Sequence, residues 1–261
     1  DIPPLLKDNS LTLFHGLPII LDSIINSQSN NEIISQSSEF ISFITSIFDI
    51  HKTYPDTFFQ FIAEAEIPFK STFILSHSIE FDHHLLLIPI LNLTNQLLLL
   101  SLQTDNFFLF NEFLRSELLT VLADIWHTLL SNEFTLQDND TIDSFLRLFT
   151  NLSQFSIECR DFLFSLISTT IGFDTFLLNS DYRLSICHFI HSLSKFPFMT
   201  LQINDIPFPL FLFSFYLKNH NEFQSKSTLF LFKTFNNINE NEFSFVIERI
   251  NKENIDFTHL Y

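Results

Sequence analysis

The sequence predicts an all-α protein, and three observations carry that prediction. Apolar residues recur at i, i+3, i+4 and i+7 through most windows, which is the period of one helix face. Sustained strict alternation, the mark of a half-buried strand, is rare. Only two Gly occur among 261 residues, so positive-φ turns are scarce; this disfavours both sheet folds and glycine-lined phosphate loops. Hydrophobic residues make up 46% and charged residues 16%, which allows a sizeable core and argues against intrinsic disorder.

Taken in order, the elements follow from local chemistry. Gly16-Leu17-Pro18 precedes an apolar run, and Pro is favoured in a first helical turn because its missing N–H costs nothing there. A helix is therefore expected to open at Pro18, and Glu66-Ile67-Pro68 and Asp205-Ile206-Pro207 read the same way. Phe40, Phe43, Ile44 and Ile47 fall on one helical face. The run 85–102 is about long enough to span a bilayer, but Asn92, Thr94, Asn95 and Gln96 sit at its middle near Pro89. Four polar groups at a membrane centre are costly, so a buried helix is expected there. Another helix covers 118–130 with Trp126. Phe145, Leu148, Phe149 and Leu152 repeat the helical spacing, as do Ile186, Phe189, Ile190 and Leu193. Residues 209–217 are ambiguous because of their Phe density, though helical punctuation flanks them. Polar clusters at 26–31, 137–140, 179–181, 219–222 and 236–241 supply caps and turns. Roughly ten to thirteen helices joined by short loops are expected.

The chain also resembles itself. Ile190-His191-Ser192-Leu193-Ser194 lies 41 positions after Phe149-Thr150-Asn151-Leu152-Ser153, and Phe232-Lys233-Thr234-Phe235-Asn236 follows 42 further on. Ile90-Leu91-Asn92-Leu93-Thr94 and Ile44-Thr45-Ser46-Ile47-Phe48 stand upstream, 46 apart. Each has an apolar residue, two positions including a small polar one, and another apolar residue. Repeats near this period signal stacked helical units.

On these residues the sequence resembles the armadillo family, whose second helix opens with Gly-Ile-Pro and whose third ends in Leu-Ser-Asn-Leu. The first signature matches at Gly16 to Pro18, Glu66 to Pro68 and Asp205 to Pro207, and the second at the five segments above. The resemblance implies a right-handed α-α superhelix, an armadillo-like solenoid forming one domain over 1–261. It also implies a concave face lined by third helices. Departures are plain: Leu93 and Leu152 are 59 apart, the 118–130 helix does not slot into register, and Phe, Leu and Ile replace the family's Ala. In peptide-carrying members that face holds Trp and Asn four residues apart. Here Asn remains at Asn92 and Asn151, with Ser46, Ser192 and Thr234 elsewhere, while Ser42, Ile88, Arg147, His188 and Phe230 take the Trp places. The Trp–Asn ladder is absent, so nuclear-signal carriage is not expected. The partner-binding residues expected on the face are Ser46, Asn92, Arg147, Asn151, His188, Ser192 and Thr234.

Thirteen basic against thirty acidic residues give a net charge of −17. Such a surface repels phosphate backbones, so no nucleic-acid partner is expected, and a basic protein or peptide suits the field better. Cys159 and Cys187 make neither a disulfide framework nor a zinc set, and intracellular, cytoplasmic residence is the default. The sequons at Asn92, Asn139 and Asn151 read as chance matches, two of them inside apolar helices. Cys187, His188 and His191 lack a carboxylate to complete a metal set, and register makes them one buried thiol and two surface histidines. Asp82-His83-His84 with His77 reads as a helix-start cluster. No nucleophile elbow, recognisable carboxylate pair or HExxH occurs, so neither enzyme activity nor a cofactor is expected. The chain opens at Asp1 rather than Met, and a piece of a longer array is the expectation. What results is a protein-interaction scaffold, with a membrane-associated helical protein or an enzyme without a motif as the rivals.

Overall fold

The computed structural model describes residues 4–27, 30–47, 56–80, 84–105, 107–130, 139–219 and 225–236. Phe48, Asp82, His83 and the polar stretches 137–138, 220–222 and 237–241 lie outside the described residues, as does the side chain of His84. The protein is predominantly helical, and it divides into two compact units, Asp1–Asn151 and Leu152–Tyr261.

The N-terminal unit holds α1 (Pro4–Asn26), α2 (Asn31–Ile47), α3 (Asp56–Glu64), α4 (Ile67–Glu80), α5 (His84–Gln103), α6 (Phe108–Arg115), α7 (Leu118–Leu130) and α8 (Asn139–Leu152), which runs one residue past the boundary. Helix α1 packs on α2 and α4, α2 on α5, and α4 on α5, α6 and α7. Gly16 serves the first contact, because a Cβ there would meet the Phe40 ring at 3.2 Å. Asn30 caps α2, its Oδ1 accepting from the Glu32 and Ile33 N–H groups at 3.1 and 3.4 Å.

Two expectations for this unit are corrected. Pro18 does not open a helix; it lies inside α1. Phe14, Leu17, Leu21 and Ile24 are all buried at three- and four-residue spacing on both sides of it. That apolar stripe carries the helix through a residue that cannot donate to the Phe14 carbonyl. On α2 the inward face is Ile34, Ser37, Ile41 and Ile44, and Phe43 stands 51% exposed. Pro68 behaves as expected, at the second residue of α4.

The pairs α3–α4 and α6–α7 are joined by the same turn. Glu66 and Glu117 both adopt left-handed backbone, φ 57° and 63°. The hydrogen bonds also repeat: Ala65 to Phe61, Glu66 to Ala63 and Lys70 to Glu66 in the first, Ser116 to Glu112, Glu117 to Leu114 and Val121 to Glu117 in the second. Helix α7, which the sequence register could not absorb, therefore stands after α6 as α4 stands after α3. Trp126 is fully buried on α7, with its ring centroid 5.3 Å from Phe149 and 5.8 Å from Phe145 of α8.

The C-terminal unit contains α9 (Ile157–Thr170), α10 (Phe173–Leu178), α11 (Arg183–Leu193), a 3-10 turn (Phe198–Thr200), α12 (Phe208–Asn219) and α13 (Ser225–Asn236). Gly172, φ 88°, makes the tight corner between α9 and α10. The ambiguous Phe-rich run is helix α12. Asp205 to Pro207 precedes a helix as expected, with α12 opening at Phe208, but Ile206 and Pro207 also form a strand the sequence did not announce: an antiparallel hairpin of β1 (Gln202–Ile203) and β2 (Ile206–Pro207). Asn204 and Asp205 turn it with φ 51° and 64°. Asn and Asp tolerate that conformation better than other non-Gly residues, so two positive-φ positions arise without glycine. The core is an aromatic cluster: Phe164, Phe173, Phe198 and Phe208, with centroids 4.7–5.5 Å apart.

Candidate functional site

In the N-terminal unit, α2, α5 and α8 surround a cleft of about 300 Å³, lined by Ser42, Thr45, Ser46, Pro89, Asn92, Asn95, Gln96 and Arg147. Helical spacing explains the convergence. Ser42, Thr45 and Ser46 lie within one turn at i, i+3 and i+4, as do Asn92, Asn95 and Gln96. The polar interruption of the apolar α5 thus forms one wall. Pro89 lies buried one turn before it, where a missing N–H leaves the Leu85 carbonyl unbonded within the helix; the Ser38 hydroxyl donates to it at 2.8 Å.

The chemistry of the lining is mostly uncharged. Thr45 and Ser46 spend their hydroxyl protons on the Ile41 and Phe43 carbonyls, both at 2.7 Å, leaving their oxygen lone pairs as acceptors. Asn151 donates through Nδ2 to Asn95 Oδ1 at 2.7 Å, which fixes the Asn95 amide. Gln96 Oε1 is buried without a hydrogen-bond partner. Arg147 is the only charged lining residue, exposed and paired with Asp143 at 2.6 Å one turn earlier. The cleft can therefore trade neutral hydrogen bonds with a ligand, and its lining carries no nucleophile–base pair.

Of the expected site residues, Ser46, Asn92 and Arg147 line this cleft, and Asn151 is tied to its wall through Asn95. The sequence reading did not select Thr45, Asn95 and Gln96 as site residues. Their positions three and four residues from Ser42 and Asn92 were the available signal. The other three expected residues belong to the C-terminal unit. His188 is exposed on α11. Ser192 is buried, donating to the Phe189 carbonyl at 2.6 Å and bonded to the Ser153 hydroxyl at 2.6 Å. Thr234 is fully buried on α13, its hydroxyl 3.3 Å from His191 Nδ1.

Burial pushes the Cys187 thiol up to about 12 and raises Cys159 as well, so both thiols are protonated and poor nucleophiles at neutral pH. His191 is half-buried rather than on the surface, correcting one of the two expected surface histidines. Its imidazole is held below its usual range, by burial first and then by Lys233. Among the described residues no three His, Cys, Asp or Glu side chains gather as a metal-ligand set. His77 stacks on Phe73 at 4.0 Å and bonds the Ser76 hydroxyl at 2.9 Å. Among the described residues one helix, over Leu85–Gln103, is long and apolar enough to cross a membrane, and 61% of that stretch is buried inside the protein.

Comparison with protein-family models, curated proteins and solved structures finds no match to this chain.

Proposed function

We propose that the chain is an armadillo-like α-α superhelix acting as a non-catalytic protein-interaction scaffold, with the cleft of α2, α5 and α8 as its partner-binding surface. The observation that carries this reading is the convergence of Ser46, Asn92, Asn95 and Arg147 from three helices on one polar cleft. The matching left-handed turns before α4 and α7, and the packing of α1 on α4 and α4 on α7, support stacked repeats. A net charge of −17 draws a basic protein or peptide at long range. At the cleft itself, contact runs through neutral amides and hydroxyls that suit a polypeptide backbone. Burial removes Ser192 and Thr234 from the contact set.

The test is affinity purification of the tagged chain beside an Asn92→Ala/Asn95→Ala/Arg147→Ala variant, with quantitative mass spectrometry. Loss of a defined set of partners by a variant that still unfolds cooperatively is expected. An unchanged partner set counts against the cleft. The membrane-associated reading rests on the length of α5. Recovery of the protein in the cytoplasmic soluble fraction without detergent is expected, and retention in the membrane pellet would favour that rival.

A further inference from the structure

The C-terminal unit contains a cleft of its own, about 490 Å³, between one face of α9 and the β-hairpin. Asp161, Ser165, Ser168 and Thr169 line the helix side; Thr200, Leu201, Gln202, Ile203 and Asn204 line the other. Successive strand residues point to opposite faces of a sheet. A cleft touched by five in a row therefore runs along the edge of β1.

The hairpin's hydrogen bonds identify what that edge offers. Asn204 and Asp205 form a two-residue turn with both φ positive, so the flanking pair Ile203 and Ile206 exchanges both backbone bonds. The next pair, Gln202 and Pro207, exchanges none. The Phe208 N–H donates to the Leu201 carbonyl at 2.8 Å, as that alternation requires. Gln202 consequently turns its backbone N–H and C=O outward, along the cleft.

The walls are held in place. Arg160, 1% exposed, donates to Asp161 Oδ1 through Nε at 2.9 Å and Nη2 at 2.7 Å. The same guanidinium reaches the Pro197 carbonyl at 2.8 Å and Thr200 Oγ1 at 2.9 Å. Both sides of the cleft thus hang on one buried side chain. Asp161 keeps Oδ2 for a ligand and is the only charged residue in the lining.

We propose that this edge docks an extended peptide, which adds a third strand beside β1. Its backbone pairs with the N–H and C=O of Gln202, and a Lys or Arg side chain meets Asp161. Strand addition draws affinity from main-chain bonds and specificity from alternate side chains. The charge complement is a carboxylate with no exposed cation in the lining, on a chain of net charge −17.

A random-peptide library displayed on phage, panned against the full chain, supplies the probe; recovered peptides are then measured by fluorescence anisotropy. Basic peptides are expected. Gln202→Pro deletes one edge donor, and Leu201 already has the extended backbone that a following Pro needs, φ −80° and ψ 134°. It should weaken binding at least about tenfold, while Gln202→Ala, which spares the backbone, stays within about twofold. Asp161→Asn should cost about threefold and flatten the salt dependence. Thermal unfolding checks each variant. Should Gln202→Pro prove unfolded, hydrogen exchange on the unmodified chain decides: saturating peptide should slow the Gln202 amide at least about tenfold. No recovered binder, binders without basic residues, binding indifferent to Gln202→Pro in a folded variant, or an unprotected Gln202 amide each overturns the proposal.

Discussion

Trp126 shows how much a single residue can carry in a core built from Phe and Leu. It is fully enclosed, in ring contact with Phe145 and Phe149. Trp126→Ala removes that area and leaves a cavity, so a loss of about 3–5 kcal/mol is expected in chemical denaturation. His191 gives a different kind of prediction. Its ordinary value is 6.5 and burial lowers it in the folded chain, so below pH 6.5 the unfolded chain binds more protons than the folded one. The stability supplied by neutral His191 is full above that value and lost as pH falls through the lowered one. The denaturation midpoint should therefore drop between about pH 7 and about pH 5, and less so in His191→Gln. An equal drop in both proteins would place the sensitivity elsewhere.

Among the elements, α1 and the repeated turns both hold residues at odds with local preference. Pro18 cannot bond the Phe14 carbonyl, and interior Pro costs roughly 3 kcal/mol in a helix. Pro18→Ala should raise the melting temperature; no change would mean that packing of the Pro18 ring offsets the missing hydrogen bond. Glu117 combines a cost and a benefit. Left-handed backbone costs a non-Gly residue about 1–2 kcal/mol, while a carboxylate just before the α7 N-terminus recovers about 0.3–1 kcal/mol. Glu117→Gly should thus stabilise by between about zero and about 1.7 kcal/mol, and high salt should enlarge the gain. These elements also mark how far the sequence could be read. Period-3.6 patterning predicted helices at 145–152 and 186–193, and both their apolar faces are buried. Pro as punctuation worked at Pro68, where a left-handed residue had just ended α3. It worked at Pro207 too, directly before α12, though the hairpin turned by the preceding Asn-Asp pair went unread, and it failed at Pro18, where the apolar stripe continues. The α5 side of the cleft was visible as four polar residues in an apolar run. That Ser46, Asn92 and Arg147 meet depends on packing between helices far apart in sequence, which no local pattern encodes.

For the whole molecule, the two units carry separate reporters. The only Trp lies in the first, while Cys159 and Cys187 are buried in the second. Trp fluorescence and thiol labelling through a urea titration thus follow different halves of one chain. Separate midpoints are expected, because each unit encloses its own core; coincident curves would mean a single cooperative transition.

The guanidinium of Arg160 grips a carboxylate on one bank and a hydroxyl and a carbonyl on the other. A gap anchored this way cannot yield gradually. Pulling the Thr200 bank outward takes two bonds from a buried cation at once and leaves it only the neighbouring carboxylate on its own helix, so spreading resists until it gives way abruptly. A visitor gains admission by matching the width already there.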